Sequence, residues 1–582
     1  MLIVDGDLQN NVSLDYLTIG GGTAQSISGT GTITNLKLNK TSGITATITG
    51  GMQTVTGTLE LTSGTLAAGG YLTLQSTATG TARVSSHAGG TGQVTGEVNV
   101  ERYIDVNSRA KQWRILGFPY SNNMTVGSIQ GFSIDYTSGT RSVMFYNEGG
   151  DDGLYGAANN VRNAGYQSFT GSSETLAAGK GVMAWIYGNS GGTASSSGTM
   201  SGSLTVSSKG VLNESGSAVS MPVFHTAARA KHGWNLLSNP FASSIDWNSG
   251  AITKTGINNA IYRWHPQLAG WTSYNESTGS HAGVDNIIES GGAFFVEAST
   301  DNPILTIGQG AKTTTATGYV HFGRAPRLSG MPGEQALANK LRLAGIRMSA
   351  TGQGNTFADE AYLDLSKSDA TSGFDGQYDA VSMGRSSGAG IAVKDDKQQV
   401  YSLQFDRTIR EDGVEKRYYP LKVTTPAKGE TTLEFWTEGD WNALNSVSLI
   451  DQKDGRTIPM KGGRLSYAFN LDELKSENRF LLAINHVKLS PDGLTSPFDV
   501  KLLGNPVTTP TMDLIITHPT AAAARWMLLN AAGQQVGSGA FAKDVPGVQH
   551  RVSAPGMNAT GNYILKVYMD NGEEKIVRVI KN

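Results

Sequence analysis

Leu17-Thr18-Ile19, Leu36-Lys37-Leu38, Leu59-Glu60-Leu61, Leu72-Thr73-Leu74 and Val98-Asn99-Val100 recur through the first hundred residues. Small-residue turns such as Gly29-Thr30-Gly31 and Ser63-Gly64-Thr65 lie between them. In each triplet the apolar residues sit two apart, so an extended backbone points both to one face and the middle residue to the other. A short strand can bury that face by lying on another coil of the same kind, which is how a solenoid is built. The spacings are uneven, about 13 to 26 residues, and residues 1–100 carry eight charges: Asp5, Asp7, Asp15, Lys37, Lys40, Glu60, Arg83 and Glu97. The expectation is a short, irregular, right-handed parallel β-helix over 1–100, with a glycine-rich β-sandwich as the alternative. A solenoid end needs a cap. The opening Met1-Leu2-Ile3-Val4-Asp5-Gly6 reads like the middle of a β protein and lacks the basic and apolar stretches of a signal peptide, so a longer precursor is expected.

The next region holds a duplication. Trp113-Arg114-Ile115-Leu116-Gly117-Phe118-Pro119-Tyr120 is matched by Trp234-Asn235-Leu236-Leu237-Ser238-Asn239-Pro240-Phe241. Met144 to Asn147 is matched by Tyr262 to His265, Gly165 to Phe169 by Gly270 to Tyr274, and Ala178 to Trp185 by the run from Ser290. Four blocks in one order, at offsets of 105 to 121 residues, predict two β modules, over 101–215 and 216–308. A linker is expected over 309–338, where Thr313 to Thr317, Pro326 and Pro332 cluster. From Leu341 charge rises and strands become regular, as in Ala361-Tyr362-Leu363-Asp364-Leu365 and Thr432-Leu433-Glu434-Phe435, which predicts a β-sandwich over 339–488. A small C-terminal β-sandwich is expected over 495–582, where Asp570-Asn571-Gly572 joins two alternating strands as a hairpin.

The composition agrees with an all-β chain. Its 582 residues include 74 Gly and no Cys, and 16% are charged. At about 100–200 residues per domain this length predicts several modules. The absence of Cys removes disulfides, thiolate metal sites and Cys nucleophiles together. A net charge of -2 gives no basic footprint for nucleic acid. No apolar run approaches the eighteen or so residues of a spanning helix, so no transmembrane segment is expected.

The tail carries an ordered set of motifs: Asn505-Pro506; a strand Trp526 to Leu529 leading into Gly533-Gln534-Gln535-Val536; Gly561-Asn562-Tyr563 opening a strand; and a basic final strand from Lys575 to Lys581. The set resembles the C-terminal (type A-like) sorting domain of type IX secretion substrates of Bacteroidota. The resemblance covers about a sixth of the chain. Trp234 to Phe241, Phe374-Asp375-Gly376-Gln377-Tyr378-Asp379-Ala380 and Arg479-Phe480-Leu481-Leu482 resemble segments of large modular surface proteins of such bacteria. The resemblance implies a route: a signal peptide to the periplasm, then export directed by the folded tail through the type IX outer-membrane machinery to an extracellular or outer-surface location. Asn505, Pro506, Gly533, Val536, Gly561, Tyr563 and Lys575 are the sorting-motif positions it implies.

Other motifs have competing readings. Trp264, Trp271 and Tyr274, like Tyr146, Tyr166 and Phe169 in the first copy, suit stacking on sugar rings, and equally suit module cores. Asn147, Glu148, Asp151 and Asp152 form an oxygen-rich loop. Asp151 and Asp152 make it a weak calcium candidate, with a solvated loop as the alternative; no other cofactor is implied. Asp375 with Asp379 is an acid pair in which turn hydrogen bonding competes with glycosidase chemistry. The nine His are singletons without a His-Glu-x-x-His zinc motif. Glycine-rich runs mimic fragments of Gly-x-Ser-x-Gly, but none joins a strand to a helix. A polysaccharide lyase would need basic residues in its solenoid groove, and residues 1–100 contain Lys37, Lys40 and Arg83 alone. The favoured expectation is therefore a non-enzymatic surface protein with an adhesive or structural role, binding a surface glycan or another cell-surface protein. The alternative is a carbohydrate-binding or ancillary part of a polysaccharide-degrading protein. A hydrolase with a dispersed active site is a third reading.

Overall fold

The computed structural model describes residues 2–582 apart from 88–89, 106–111, 139–140, 150–164, 187–201, 227–232, 267–269, 278, 281–283, 316–343, 353–358, 368, 372, 384–388, 396–398, 408–414, 426–427, 440–444, 462, 487–498, 518–523, 542–548 and 570–573. The fold is all-β: among the described residues the helical elements are the 3-10 turns Val126–Ser128 and Gln309–Ala311. The chain forms two compact units. One comprises Met1–Thr408, Tyr418–Trp441 and Ser448–Leu482; the other comprises Ile409–Arg417, Asn442–Val447 and Ala483–Asn582.

The first unit begins with a parallel solenoid. Its strands are β1 Leu2–Val4, β2 Leu8–Gln9, β3 Ser13–Gly21, β4 Gln25–Ser28, β5 Thr32–Lys40, β6 Thr45–Gly50, β7 Gln53–Ser63, β8 Thr65–Ala67, β9 Leu72–Leu74, β10 Arg83–Val84, β11 Gln93–Thr95 and β12 Glu97–Ile104. They alternate between two sheets, β1-β3-β5-β7-β9-β12 and β2-β4-β6-β8-β11, and neighbours within each run parallel. Leu17 stacks on Leu36 and Leu36 on Leu59, with Ile19, Leu38 and Leu61 forming the parallel column. All six are at most 2% exposed.

The fourth triplet breaks the pattern for a definite reason. Leu72-Thr73-Leu74 lies against Gln53-Thr54-Val55, the first half of the long β7, while β10 takes the second half at Thr58 and Leu59. Val98 to Val100 then stack on β9. Two strands share β7, and that produces the short and long spacings seen in the sequence.

The glycines sit where coils meet. A Cβ on Gly51, whose φ is +69°, would lie 2.2 Å from the Gly29 carbonyl oxygen, so only glycine fits that corner. Inside the coil the Gln53 amide, 1% exposed, accepts from Asn10 Nδ2 at 2.9 Å and donates to the carbonyls of Asn10 and Ser28. The sheet runs past residue 100. Leu204–Val211 pairs antiparallel along all of β12, from Glu97↔Val211 to Ile104↔Leu204. A strand from the first repeated module thus supplies the solenoid's antiparallel cap.

The duplication is visible in topology and register. In the first copy the sheet order is Gln112–Leu116, Val182–Ile186, Val143–Tyr146, Tyr166–Ser168; in the second it is Trp234–Ser238, Ala293–Ala298, Ile257–His265, Gly270–Asn275, with Gly279–Ser280 added at the edge. Ile115 faces Met183 as Leu236 faces Phe295, Met144 faces Met183 as Tyr262 faces Phe295, and Tyr146 faces Tyr166 as Trp264 faces Trp271. The copies are joined by reciprocal contacts. Leu116 bridges Gly292 and Leu237 bridges Lys180, while Gly117 N donates to Gly291 O at 2.8 Å and Ser238 N to Gly179 O at 2.9 Å. These pairs exchange equivalent positions, so the repeats meet about a local two-fold. Alternation divides each sheet: Ile115, Met183, Leu236 and Phe295 fill a shared core, whereas Leu116 and Val182 join the solenoid core and Leu237 and Phe294 join the second copy's own.

The rest of this unit is an eleven-stranded sheet whose order starts at Arg456–Pro459 and Asn445–Asp451 and ends at Gly429–Gly439 and Arg464–Leu471. It curls into a sandwich, bringing its ends together. The Asp451 carboxylate accepts from Arg479 Nε and Nη2 at 2.9 and 2.7 Å and from Tyr467 OH at 2.9 Å, and Phe480 packs on Phe469 at 4.6 Å. Arg479-Phe480-Leu481-Leu482 is therefore the clasp of the sandwich.

The second unit contains two facing sheets. One is ordered Asp499–Leu503, Thr511–Thr517, Gln549–Ser553; the other Gln535–Phe541, Ala524–Leu529, Gly561–Met569, Glu574–Lys581. Met512, Leu514, Trp526, Leu528, Leu565 and Val579 belong to a core of its own.

Candidate functional site

Three of the tail motifs, far apart in sequence, lie toward the same end of one sheet. Across the four-stranded sheet one register row runs Gln535, Leu529, Ile564, Arg578. Just beyond it lie the Gly533 turn, Gly561 and the residues following Asn505. Asn505 Nδ2 donates to Arg578 O at 3.0 Å and its Oδ1 accepts from Ile580 N at 2.8 Å. Val507 N donates to Ile580 O at 2.8 Å, and Val507 bridges Lys581 in parallel. The side-chain amide thus presents one donor and one acceptor to the outer edge of the last strand, as a neighbouring strand would. The Asn505-Pro506 bond is cis.

Gly561 faces Lys581 from the other side of that strand, at φ +144°. Tyr563, 5% exposed, buries its ring and donates its hydroxyl to Ala559 O at 2.8 Å. Gly533, at φ +77°, closes the hairpin in which Asn530 Oδ1 accepts from Ala532 N and Gln534 N at 3.0 and 2.9 Å. Val536 packs half-buried on the core. Lys575 pairs with Val567 toward the opposite end of the sheet. Sequence reading missed what Asn505 does; an Asn before Pro ahead of the first long tail strand is its only trace.

The aromatic candidates lie inside the repeats. Trp264 and Tyr274 are 4% and 6% exposed, and Trp271 is half-buried. Trp264 meets Trp271 edge-on at 5.4 Å, and Trp271 meets Phe295 at 5.2 Å. Tyr274 OH accepts from Asn248 Nδ2 at 2.6 Å within the second copy's core. The equivalent Tyr146 meets Tyr166 and Phe295 the same way, and Phe169 is 2% exposed. Trp264 and Tyr274 are packed on protein and leave no open ring face for a sugar, whereas Trp271 is half-buried.

Of the oxygen-rich loop, Asp151 and Asp152 fall outside the described residues. Glu148 is described and already engaged: its carboxylate accepts from Thr226 N and Gly233 N, each at 2.8 Å, and from the Thr226 hydroxyl. Burial works against its charge, yet these hydrogen bonds outweigh burial and hold the carboxyl below its ordinary range. Among the described residues no group of three His, Asp or Glu is placed to hold a metal ion.

Asp375 and Asp379 form a turn. Asp375 N donates to Asp379 Oδ2 at 2.9 Å, Gln377 N to Asp375 Oδ1 at 3.0 Å, and Asp379 N to Asp375 O at 2.7 Å. The loop docks on the second repeat: Asn259 N donates to Gly376 O at 2.9 Å and Val381 N to Tyr262 OH at 3.1 Å. Its acids are spent on backbone hydrogen bonds, and it works as a latch between modules.

No known family matches the chain, and no curated protein matches it. Among solved structures, CopC from Methylosinus trichosporium OB3b is 16% identical over 14% of this chain and 94% of its own, with a TM-score of 0.12. A β-glucuronidase of Faecalibacterium prausnitzii is 14% identical over 28% of this chain and 37% of its own, at 0.12. The BSP domain of a biofilm associated protein is 10% identical over 82% of this chain and 60% of its own, at 0.14. The matched region thus spans little more than a third of the glucuronidase. Likeness at this level assigns no function. No helix among the described residues is long and apolar enough to cross a membrane.

Proposed function

We propose that this protein is a secreted, cell-surface structural or adhesive protein, delivered by type IX secretion through its C-terminal unit. The observation that supports the reading best is the tail itself. It has a core of its own, and Asn505, the Gly533 turn and Gly561 lie toward one end of the four-stranded sheet, with Lys575 toward the other. A recognition element read by export machinery has to be folded, and the separate core of this unit supports the reading on that count. The body it would deliver suits a mechanical task. Solenoid, repeats and sandwich of the first unit interlock through shared core and backbone contacts, so load passes through packed sheets.

The test uses the chain supplied with a signal peptide in a bacterium with type IX secretion. Intact chain is expected on the surface or in the medium, and chain lacking residues 505–582 in the periplasm. Surface delivery of the truncated chain would refute the reading.

A further inference from the structure

Lys180, between Thr175–Leu176 and Val182–Ile186 of the first copy, carries its amine over the ring of Phe224, 4.7 Å from the centroid. The pair lies on the seam of the repeats, where Lys180 bridges Leu237. Lys254 and Lys312 of the same unit are built in a similar way. Lys254 Nζ lies 4.5 Å over Trp247 and pairs with Glu276, and Lys312 Nζ lies 4.9 Å over Phe241 and pairs with Glu214 at 2.6 Å. In both, a ring covers one side of the ammonium and a carboxylate balances its charge. Trp247 and Phe241 are fully buried.

Lys180 and Phe224 have the amine and the ring without the carboxylate. Among the described residues the half-buried Lys180 amine makes no hydrogen bond and no ion pair. The acids beside Phe224 are already engaged, Glu148 by Thr226 and Gly233, and Asp301 by His225 Nδ1 at 2.8 Å. Burial holds the Lys180 amine down to about 8, against the pull of the Glu148 charge. A ring alone compensates a partly dehydrated ammonium poorly. Phe224, unlike the other two rings, is 53% exposed. The buried Asn235 amide clamps its backbone, accepting from Phe224 N at 2.9 Å and donating to Phe224 O at 2.8 Å. A carboxylate from outside the chain therefore has a rigid, solvent-open place to enter.

We propose that Lys180 and Phe224 form a binding site for a carboxylated sugar, whose carboxylate takes at Lys180 the place that Glu276 and Glu214 hold at Lys254 and Lys312. The C–H face of the sugar packs on the exposed part of the Phe224 ring. The site is one amine and one ring in extent, which matches a single uronate residue. An acidic protein surface would have to bury far more area than this to hold. The inference rests on the adhesive part of the reading above and is independent of the export route.

The test titrates the purified full-length chain by calorimetry with trigalacturonate, with its neutral methyl ester and with hexaglutamate. The chains are wild type, Lys180→Met, Phe224→Ala and, as a control at an exposed lysine, Lys453→Met. Trigalacturonate is expected to bind wild type and the control alike. Binding of the ester to wild type, and of trigalacturonate to either site variant, is expected to be roughly tenfold weaker or worse, with melting unchanged. The comparison of acid with ester is made on wild type, so it holds however the variants fold. No binding of trigalacturonate, equal binding of acid and ester, or undiminished binding by either site variant overturns the site. Tighter binding of hexaglutamate than of trigalacturonate assigns the site to an acidic peptide and also overturns it. None of these outcomes bears on delivery, which the deletion of 505–582 decides separately.

Discussion

At the scale of the residue, Asn505 shows how one side chain finishes a fold. An edge strand leaves backbone groups open to pairing with other chains, and here the Asn505 amide satisfies Arg578 O and Ile580 N on the outer edge of the last strand. Each hydrogen bond of this kind contributes about 0.5–1.5 kcal/mol net, and these two are exposed. Asn505→Ala is expected to lower tail stability by about 1–2 kcal/mol in urea unfolding, with greater self-association at high concentration. Asn505→Asp keeps the acceptor for Ile580 N and loses the donor to Arg578 O, so it should fall between. Equal stability of all three would show that the edge does not depend on this amide. Trp264 makes a second test. Its ring is buried against Trp271, so Trp264→Ala should cost about 3–5 kcal/mol by opening a core cavity. An exposed sugar platform would instead lose glycan binding with melting unchanged.

At the scale of the element, the solenoid argues that buried columns, and not surface charge, set stability. Leu36 stacks between Leu17 and Leu59 and is 2% exposed, so Leu36→Ala is expected to cost about 2–5 kcal/mol. The adjacent Lys37 pairs with Glu60 at 2.7 Å, with side chains 29% and 40% exposed. Solvent screens that pair to about 0–1 kcal/mol, and Lys37→Ala should be nearly silent. Hydrogen exchange should show protection lost in the coils on both sides of Leu36→Ala, since each coil is held by its neighbours. If Lys37→Ala proves the more damaging, the column account fails. The column was legible in the sequence because period-two triplets report burial directly. The shared β7 was not: Leu72 pairs with Gln53, and no periodicity announces that one long strand serves two partners. The repeat was legible in the sequence, and the equivalences of Ile115 with Leu236, Met183 with Phe295 and Tyr146 with Trp264 reappear in the registers. Its aromatics were ambiguous, because a ring that stacks on sugar and a ring that fills a core have the same composition and differ in what covers them.

At the scale of the whole first unit, one buried node joins the solenoid and the first repeat to Lys312, which lies in the stretch expected as a linker but is buried and pairs with Ile245 of the second repeat. Lys312 Nζ lies 2.8 and 2.6 Å from the two carboxylate oxygens of Glu214 and 3.3 Å from Ser85 O. His87 Nδ1 lies 3.4 Å from the same Ser85 carbonyl and 3.6 Å from Glu214 Oε2, with its side chain 3% exposed. Arg83 adds positive charge near Lys312, and Gln309 ties in through Asn213 O and Ser86 Oγ. Burial and then the Lys312 charge hold the His87 pKa below its ordinary 6.5. With the folded value depressed, the unfolded chain takes up the proton first. Stability is therefore full above pH 6.5 and falls as pH drops from there toward the folded value, with a slope approaching about 1.4 kcal/mol per pH unit for one group. Glu214 has the opposite sign: burial raises its pKa, so its protonation at lower pH relieves a cost. Glu148, held low by its hydrogen bonds, loses its contribution only below the ordinary carboxylate range, so His87 and the opposing Glu214 are what act above it. Urea unfolding of the intact chain at pH 7.5, 6.5 and 5.5 should show a fall across the last interval that His87→Gln flattens. Hydrogen exchange should place the loosening at 83–87, 212–214 and 309–312. A His87→Gln chain with the wild-type slope would mean that the acid sensitivity of the unit arises elsewhere and that the node is held by the Lys312–Glu214 pair alone.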